Sequence, residues 1–323
     1  MDRELVRRAL FAAGSGDEPT LRRLVEAEPG LVRTVGDNPF WGGRVQPLHL
    51  AVTRNRPGCV TLLLEAGADP NGDNEGYGGW SPLMLAAAQG RTELAERLER
   101  AGARVGLFEA AALGRAAVVA SLLDEDPGRA RAATPDGTTA LHLAATATIA
   151  AGLLAAGADP DAVDAYGGTP LDRAADRAAR GDDDAPGVAD RLLAAGARAD
   201  ATTFAALDDL EGLARALEER PQDLDRPGRS GQTPLQAAAG HGRIAAVEWL
   251  LERGADPNAA DAHDVTPLHA LAGAVTNGPE IARRLLAAGA DLDRRDGHHD
   301  AIPADWAAFQ ERPALETVLR TGA

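Results

Sequence analysis

Three of the seven histidines recur at one place in a repeated tetrapeptide. They are the last residues of Gln46-Pro47-Leu48-His49, Thr139-Ala140-Leu141-His142 and Thr266-Pro267-Leu268-His269. Imidazole exchanges a proton near neutral pH and binds metals, so a repeated histidine invites an acid–base or ligand reading. Asp172, Gln236 and Met84 fill the same place in other copies. The position therefore does not demand imidazole, and no catalytic role is expected there. A second group is Asp296-Gly297-His298-His299-Asp300, with Asp261 and His263 one repeat earlier. Stacked loops would let these side chains approach a divalent cation. In a regular loop the neighbouring His298 and His299 point apart, so solvated loop tips are expected and no metal.

Other catalytic signatures are missing from the sequence. There is no GxSxG, HExxH, CxxC or Walker A stretch, and the GxGxxG pattern has no strand–turn–helix context. Serine occurs only at 15, 81, 121 and 230, without a convincing local base. The Asp159-Pro160-Asp161 and Asp291-Leu292-Asp293 pairs read as turn residues. All 33 basic residues are arginine, which removes Schiff-base and P-loop lysines. By association, that usage suggests a GC-rich bacterial genome. Cys59 stands alone, so no intrachain disulfide can form, and its apolar setting suggests a buried small side chain. No cofactor is expected.

The elements that must position these residues are clearest in Thr233–Asn258, TPLQAAAGHGRIAAVEWLLERGADPN. Thr233 can cap a helix, and Pro234 suits its first position. Leu235, Ala238 and Ala239 give a short apolar face before Gly240 and Gly242 break the helix. Ile244, Val247, Leu250 and Leu251 then form the apolar face of a second helix, which Gly254 closes. Neither helix is long enough to stand alone in water. Each needs a neighbour, so the unit makes sense as one layer of a stack.

Copies begin at Gln46, Ser81, Thr139, Thr169, Thr233 and Thr266, and matching second-helix ends fall at Gly67, Gly102, Gly157, Gly196, Gly254 and Gly289. TPLHxxA, a glycine turn and then LLxxGADPN resemble the ankyrin repeat of about 33 residues. The resemblance covers nearly the whole chain. It implies an all-α solenoid of about ten helix-turn-helix repeats with short finger loops, running as one array over 1–323. The N-terminal cap is placed at about 1–43, internal repeats at 44–299 and the C-terminal cap at 300–323. It also implies that the tetrapeptide histidines bond to neighbouring loop backbone.

Three units are degenerate in their first helix, around Phe11, Phe108 and Phe204, and end near Pro29, Pro127 and Pro221. The near-equal spacing of the phenylalanines suggests a duplicated block of three repeats. The Thr139 copy is short, which predicts a tightened turn between its helices. The Thr169 copy is long, with Gly181-Asp182-Asp183-Asp184-Ala185-Pro186-Gly187 predicted as a flexible acidic bulge.

A formal net charge of −16 argues against nucleic acid or anionic membrane as partner. Residues 1–20 do not read as a signal peptide, and no window has the apolar length of a membrane span. A cytoplasmic monomer is expected. Aromatic residues are only 3% of the chain, yet Phe40, Trp41, Tyr77 and Trp80 fall in two long links between repeats, with Tyr166 in a later one. Trp80 precedes the capping Ser81, a place that points outward in ankyrin-like fingers. These residues with Arg44 form the expected partner site, because Trp, Tyr and Arg dominate binding hot spots. The alternative for Phe40 and Trp41 is a fold-back that covers the first repeat. The expected function is a non-catalytic scaffold that binds another protein through its concave face. The competing reading is an enzyme with Asp, His and Arg converging in that groove.

Overall fold

The computed structural model describes residues 2–40, 43–72 and 79–322. Trp41, Gly42 and residues 73–78, including Tyr77, lie outside the described residues. The chain divides into two compact units, 1–165 and 166–323. Each is built almost wholly from short paired helices.

In the first unit the pairs are Arg3–Ser15 with Glu18–Ala27, Pro47–Thr53 with Pro57–Glu65, Pro82–Ala88 with Thr92–Arg100, and Leu107–Ala112 with Ala116–Glu125. A fifth layer has only its second helix, Ala147–Ala155. The second unit pairs Pro170–Ala179 with Ala185–Ala194, Ala201–Leu207 with Leu210–Glu219, and Pro234–Gly240 with Ile244–Glu252. It ends with Pro267–Ala270 before Gly278–Ala287, and Pro303–Phe309 before Pro313–Thr321. The only sheet among the described residues is a two-residue antiparallel pair, Gly36–Asp37 on Arg44–Val45.

The capping chemistry read from the consensus stretch is present. The Thr233 hydroxyl accepts from the Gln236 amide, and the Gln236 side chain returns to the Thr233 N–H. Gly254 sits at φ +83°, where a side chain would be strained. An aliphatic cluster runs through the first three layers of the first unit, with Leu48, Leu63, Leu83 and Leu98, and another runs through the last four layers of the second, with Leu235, Val247, Leu250 and Leu285. Leu250 is fully buried, whereas Leu251 packs at the core edge. The two leucines are therefore not equivalent, although the sequence pattern alone places both in the stack. Cys59 is buried, and burial pushes its thiol pKa up to about 11.

Polar groups lock layer to layer. Arginines just before the second helix reach back to a carbonyl ending the preceding first helix. Arg56 Nε donates to Gly14 O at 3.1 Å, Arg243 Nε to Ala206 O at 2.9 Å, and Arg91 donates to Val52 O. The asparagines of Asp-Pro-Asn clamp the next layer. Asn71 Nδ2 donates to Gly102 O and Asn258 Nδ2 to Gly289 O, each at 3.0 Å. Pro29, Pro127 and Pro221 each open a short 3-10 helix after a degenerate layer.

Two local expectations are corrected. The Thr139 copy does not tighten a turn between two helices; it has no first α-helix. Residues 139–144 form successive tight turns, with His142, Leu143 and Ala144 N–H groups bonding three residues back. Removing residues between the helices leaves too little chain to close a full α-turn. The acidic insertion is partly helical. Residues 180–184 form the link between the helices, with Asp183 and Asp184 exposed and Asp182 paired with Arg177 at 2.7 Å, while Ala185–Gly187 open the second helix.

Candidate functional site

The first unit holds Phe40, Arg44 and Trp80, and Tyr166 opens the second. Phe40 follows Asn38, whose buried side chain accepts the Phe40 N–H at 3.0 Å. That Asx turn folds Phe40 back onto the first layer. Its ring stacks on Phe11 with centroids 5.5 Å apart, and the Arg54 guanidinium lies 4.1 Å above it. A Cβ at Gly14 would come 2.4 Å from the Phe40 ring, so the ring fills the space that glycine leaves. Phe40 thus packs on the first layer. Trp41 and Tyr77 lie outside the described residues.

Trp80 does not point outward. Its ring packs against the core of the first unit, and Nε1 donates to Asp136 Oδ2 at 3.1 Å. The reason is the degenerate layer that follows it. Leu107–Ala112 begins directly after Gly106, without a long finger, and the indole leans over that layer to the next finger. Arg44 is exposed in the small hairpin. Tyr166 is 82% exposed, the most prominent finger aromatic described.

The fourth tetrapeptide position is committed to structure. His142 Nδ1 accepts from the Thr139 N–H at 3.1 Å, and His269 Nδ1 accepts from the Thr266 N–H at 3.2 Å. His269 Nε2 then donates to Ala301 O in the next finger at 3.1 Å. Gln236 does the same work with an amide, accepting from Thr233 N–H and donating to Val265 O. Asp172 accepts the Thr169 N–H and hydroxyl, and Glu109 accepts the Gly106 N–H and the Ser81 hydroxyl. This explains why several residue types serve there. Burial lowers the His269 pKa. His49 is the exception. Gln46 replaces the threonine, both ring nitrogens lack a well-formed hydrogen bond among the described residues, and burial lowers the pKa to about 4.

The last finger is organised by Asp296. Its carboxylate accepts from His298 N, His299 N, Ala301 N and Trp306 Nε1, all between 2.7 and 3.1 Å. Burial works against its charge, but these donors outweigh it and hold the pKa well below the carboxylate range. Asp296 is thus a structural anchor. His298 lies edge-on to both His263 and His299, with centroids 5.6 and 5.0 Å away. Among the described residues, no group of three His, Cys, Asp or Glu side chains is placed to hold a metal.

One pair escaped the sequence reading. His241 Nε2 lies 3.1 Å from Asp176 Oδ1, across the Ala201–Leu207 helix, and Nδ1 lies 2.7 Å from Ala237 O. Burial raises the Asp176 pKa, but His241, Arg180 and Arg173 outweigh that and leave it lowered. A cavity of about 460 Å³ opens nearby, lined by Arg180, Asp208, Arg243 and Thr276 among others. Among the described residues no Ser, Thr or Cys hydrogen-bonds His241.

The repeat pattern has direct counterparts. The family description "Ankyrin repeats (3 copies)" matches residues 9–106 and 201–296, and "Ankyrin repeat" matches 136–165. Together these blocks cover more than half of the sequence. The chain belongs to the ankyrin-repeat family. The ankyrin chain is 38% identical over 98 residues to glycerophosphocholine phosphodiesterase gde1 of Schizosaccharomyces pombe, covering 29% of this chain and 8% of that protein. It is 37% identical over 98 residues to mouse protein phosphatase 1 regulatory subunit 27, covering 30% of this chain and 61% of that protein. In each case the match spans less than two thirds of the relative's length. The human ASB11 ankyrin repeat domain is 28% identical, with a TM-score of 0.44, covering 67% of this chain and 97% of that one. Both relatives are eukaryotic, so they lend no support to the bacterial origin expected from arginine usage. Among the described residues no helix is long and apolar enough to cross a membrane.

Proposed function

We propose that this ankyrin chain is a protein-interaction adaptor that binds a partner protein through its finger loops and first-helix face. The observation that carries this reading is the division of labour among its side chains. The repeated histidines His142 and His269, with Gln236, Asp172 and Glu109, are spent on bonds within the fold, while Tyr166 stands exposed on a finger. A side chain used to hold a layer is not free to do chemistry, whereas an exposed tyrosine is a typical hot-spot residue.

The proposed site comprises Phe40, Trp41, Arg44, Tyr77, Trp80 and Tyr166. Of these, Arg44 in the first unit and Tyr166 in the second are exposed, and Phe40 and Trp80 are half-buried. We read the chain as one array over 1–323, a cytoplasmic monomer without cofactor, in which the acidic surface disfavours nucleic acid. A second reading, an active site in the groove, draws on the His241–Asp176 pair beside its cavity.

The test is titration calorimetry with a partner recovered by affinity purification. Tyr166→Ala or Arg44→Ala should weaken binding by about 2 kcal/mol while the melting temperature holds. If both variants bind as tightly as the parent, the anchor is not in these fingers. Turnover of a small substrate that His241→Ala abolishes would favour the second reading.

A further inference from the structure

Three helices of the second unit lie side by side. Ala201–Leu207 packs between Pro170–Ala179 and Pro234–Gly240. The contact is made by small side chains. Ala175, Ala206 and Ala237, one from each helix, form a buried cluster with Leu207 packed against it. Two residues just after Pro234–Gly240 reach past the middle helix to the far one. Arg243 donates through Nε to Ala206 O at 2.9 Å and through Nη2 to Ala175 O at 3.5 Å. His241 meets Asp176, 65 residues away, at 3.1 Å.

The His241 ring is held at both nitrogens by oxygen acceptors. Nδ1 lies 2.7 Å from Ala237 O, and Nε2 lies 3.1 Å from Asp176 Oδ1. A carbonyl and an ionised carboxylate can only accept, and a neutral imidazole carries one N–H. The neutral ring therefore serves one acceptor and turns a bare lone pair to the other. The imidazolium carries two N–H groups and serves both. Asp176 does not supply the missing hydrogen. Burial raises its pKa, but His241, Arg180 and Arg173 outweigh that and keep it a carboxylate at neutral pH. The ring is only 17% exposed, so water does not readily replace either partner.

The other charged groups nearby are engaged. Arg243 holds the two carbonyls above, Arg177 pairs with Asp182, and Asp208 Oδ1 accepts the Ala246 N–H. Ala201–Leu207, Pro234–Gly240 and residues 270–278 carry no titratable side chain.

We propose that His241 and Asp176 form a proton-operated clasp between two layers that are not sequence neighbours, closed while the ring carries two protons. As the pH rises, the Nε2 proton leaves to water. The remaining N–H stays on Ala237 O, the shorter bond, within its own turn. A lone pair then faces the Asp176 carboxylate, and the two repel. Asp176 turns to water, and Pro170–Ala179 loses this tie to the His241 turn. The two Arg243 bonds persist, so the layers stay folded while their coupling loosens. Imidazole changes charge between about pH 5 and 8, which places the device in the physiological range. It operates whichever reading of the function holds.

The test is NMR on the full chain with labelled histidine, at pH 6 and pH 8.5. At pH 6 both His241 ring nitrogens should carry protons. The Asp176–Ala179 amides, corrected for the intrinsic pH dependence of exchange, should exchange about fivefold faster at pH 8.5. Asp176→Asn is the decisive variant. Its side-chain N–H can donate to the neutral ring, so the clasp should stay closed at both pH values, with corrected exchange changing less than about twofold. His241→Ala should show the faster exchange at both. A single ring proton at pH 6, no response of the parent to pH, or a parent-like response in Asp176→Asn each overturns the clasp. Ring protonation and the parent's response are read on the unaltered chain, so the outcome does not depend on a variant folding.

Discussion

Lowering the pH from 7.5 to 4.5 should destabilise the His49 layer more than any site-blind account of acid unfolding allows. His49 is completely buried, and its ring nitrogens make no well-formed hydrogen bond among the described residues. Burial lowers its pKa from 6.5 to about 4, the nearby Gly72 backbone offsetting only part of that. The folded state thus keeps a neutral ring while the unfolded chain takes up a proton below about pH 6.5. Stability from this group is fully present above that pH, falls as the pH drops towards 4, and levels off below. At pH 4.5 the linkage amounts to about 2.5 kcal/mol, an order-of-magnitude figure from about 1.4 kcal/mol per pKa unit. His49→Gln removes the titration while keeping a side chain that Gln236 shows can stand at this position. Urea titrations of both proteins at pH 7.5 and 4.5, followed by circular dichroism and by exchange of the Pro47–Thr53 amides, give the difference directly. The parent should lose about 2.5 kcal/mol more than the variant across this interval. Parallel losses would refute the claim that the ring is held neutral by burial.

Leu250→Ala should cost about 2–5 kcal/mol in urea titration, because the cavity opens in a closed core, and Leu251→Ala about 1 kcal/mol at its edge; equal costs would contradict their different burial. Amide exchange should be faster over 140–145, where tight turns replace a helix, than over 235–240, and the reverse order would contradict the altered layer.

The short apolar periods, the capping threonines and the closing glycines state the helix pairs almost residue by residue. Local chemistry suffices for that, because each signal acts within one or two turns. The same locality explains the errors. A count of residues between Thr139 and Gly157 shows that chain is missing, but not whether turn or helix is given up. The Asp182–Arg177 pair absorbs an insertion that composition alone makes loose. The finger aromatics were visible by type, but their directions were not. Phe40 turns inward because Asn38 and Gly14 shape the space beneath it.

Sequence by itself determined the repeat, its register, its capping residues and the interchangeability of the fourth tetrapeptide position. Those features depend on neighbours within about ten residues along the chain. The tertiary structure alone decided which side chains bridge layers. Trp80 meets Asp136 at a separation of 56 residues, and His241 meets Asp176 at 65, each across a degenerate layer. No periodicity encodes such pairs, because they arise where one layer is shortened and its neighbours close over it.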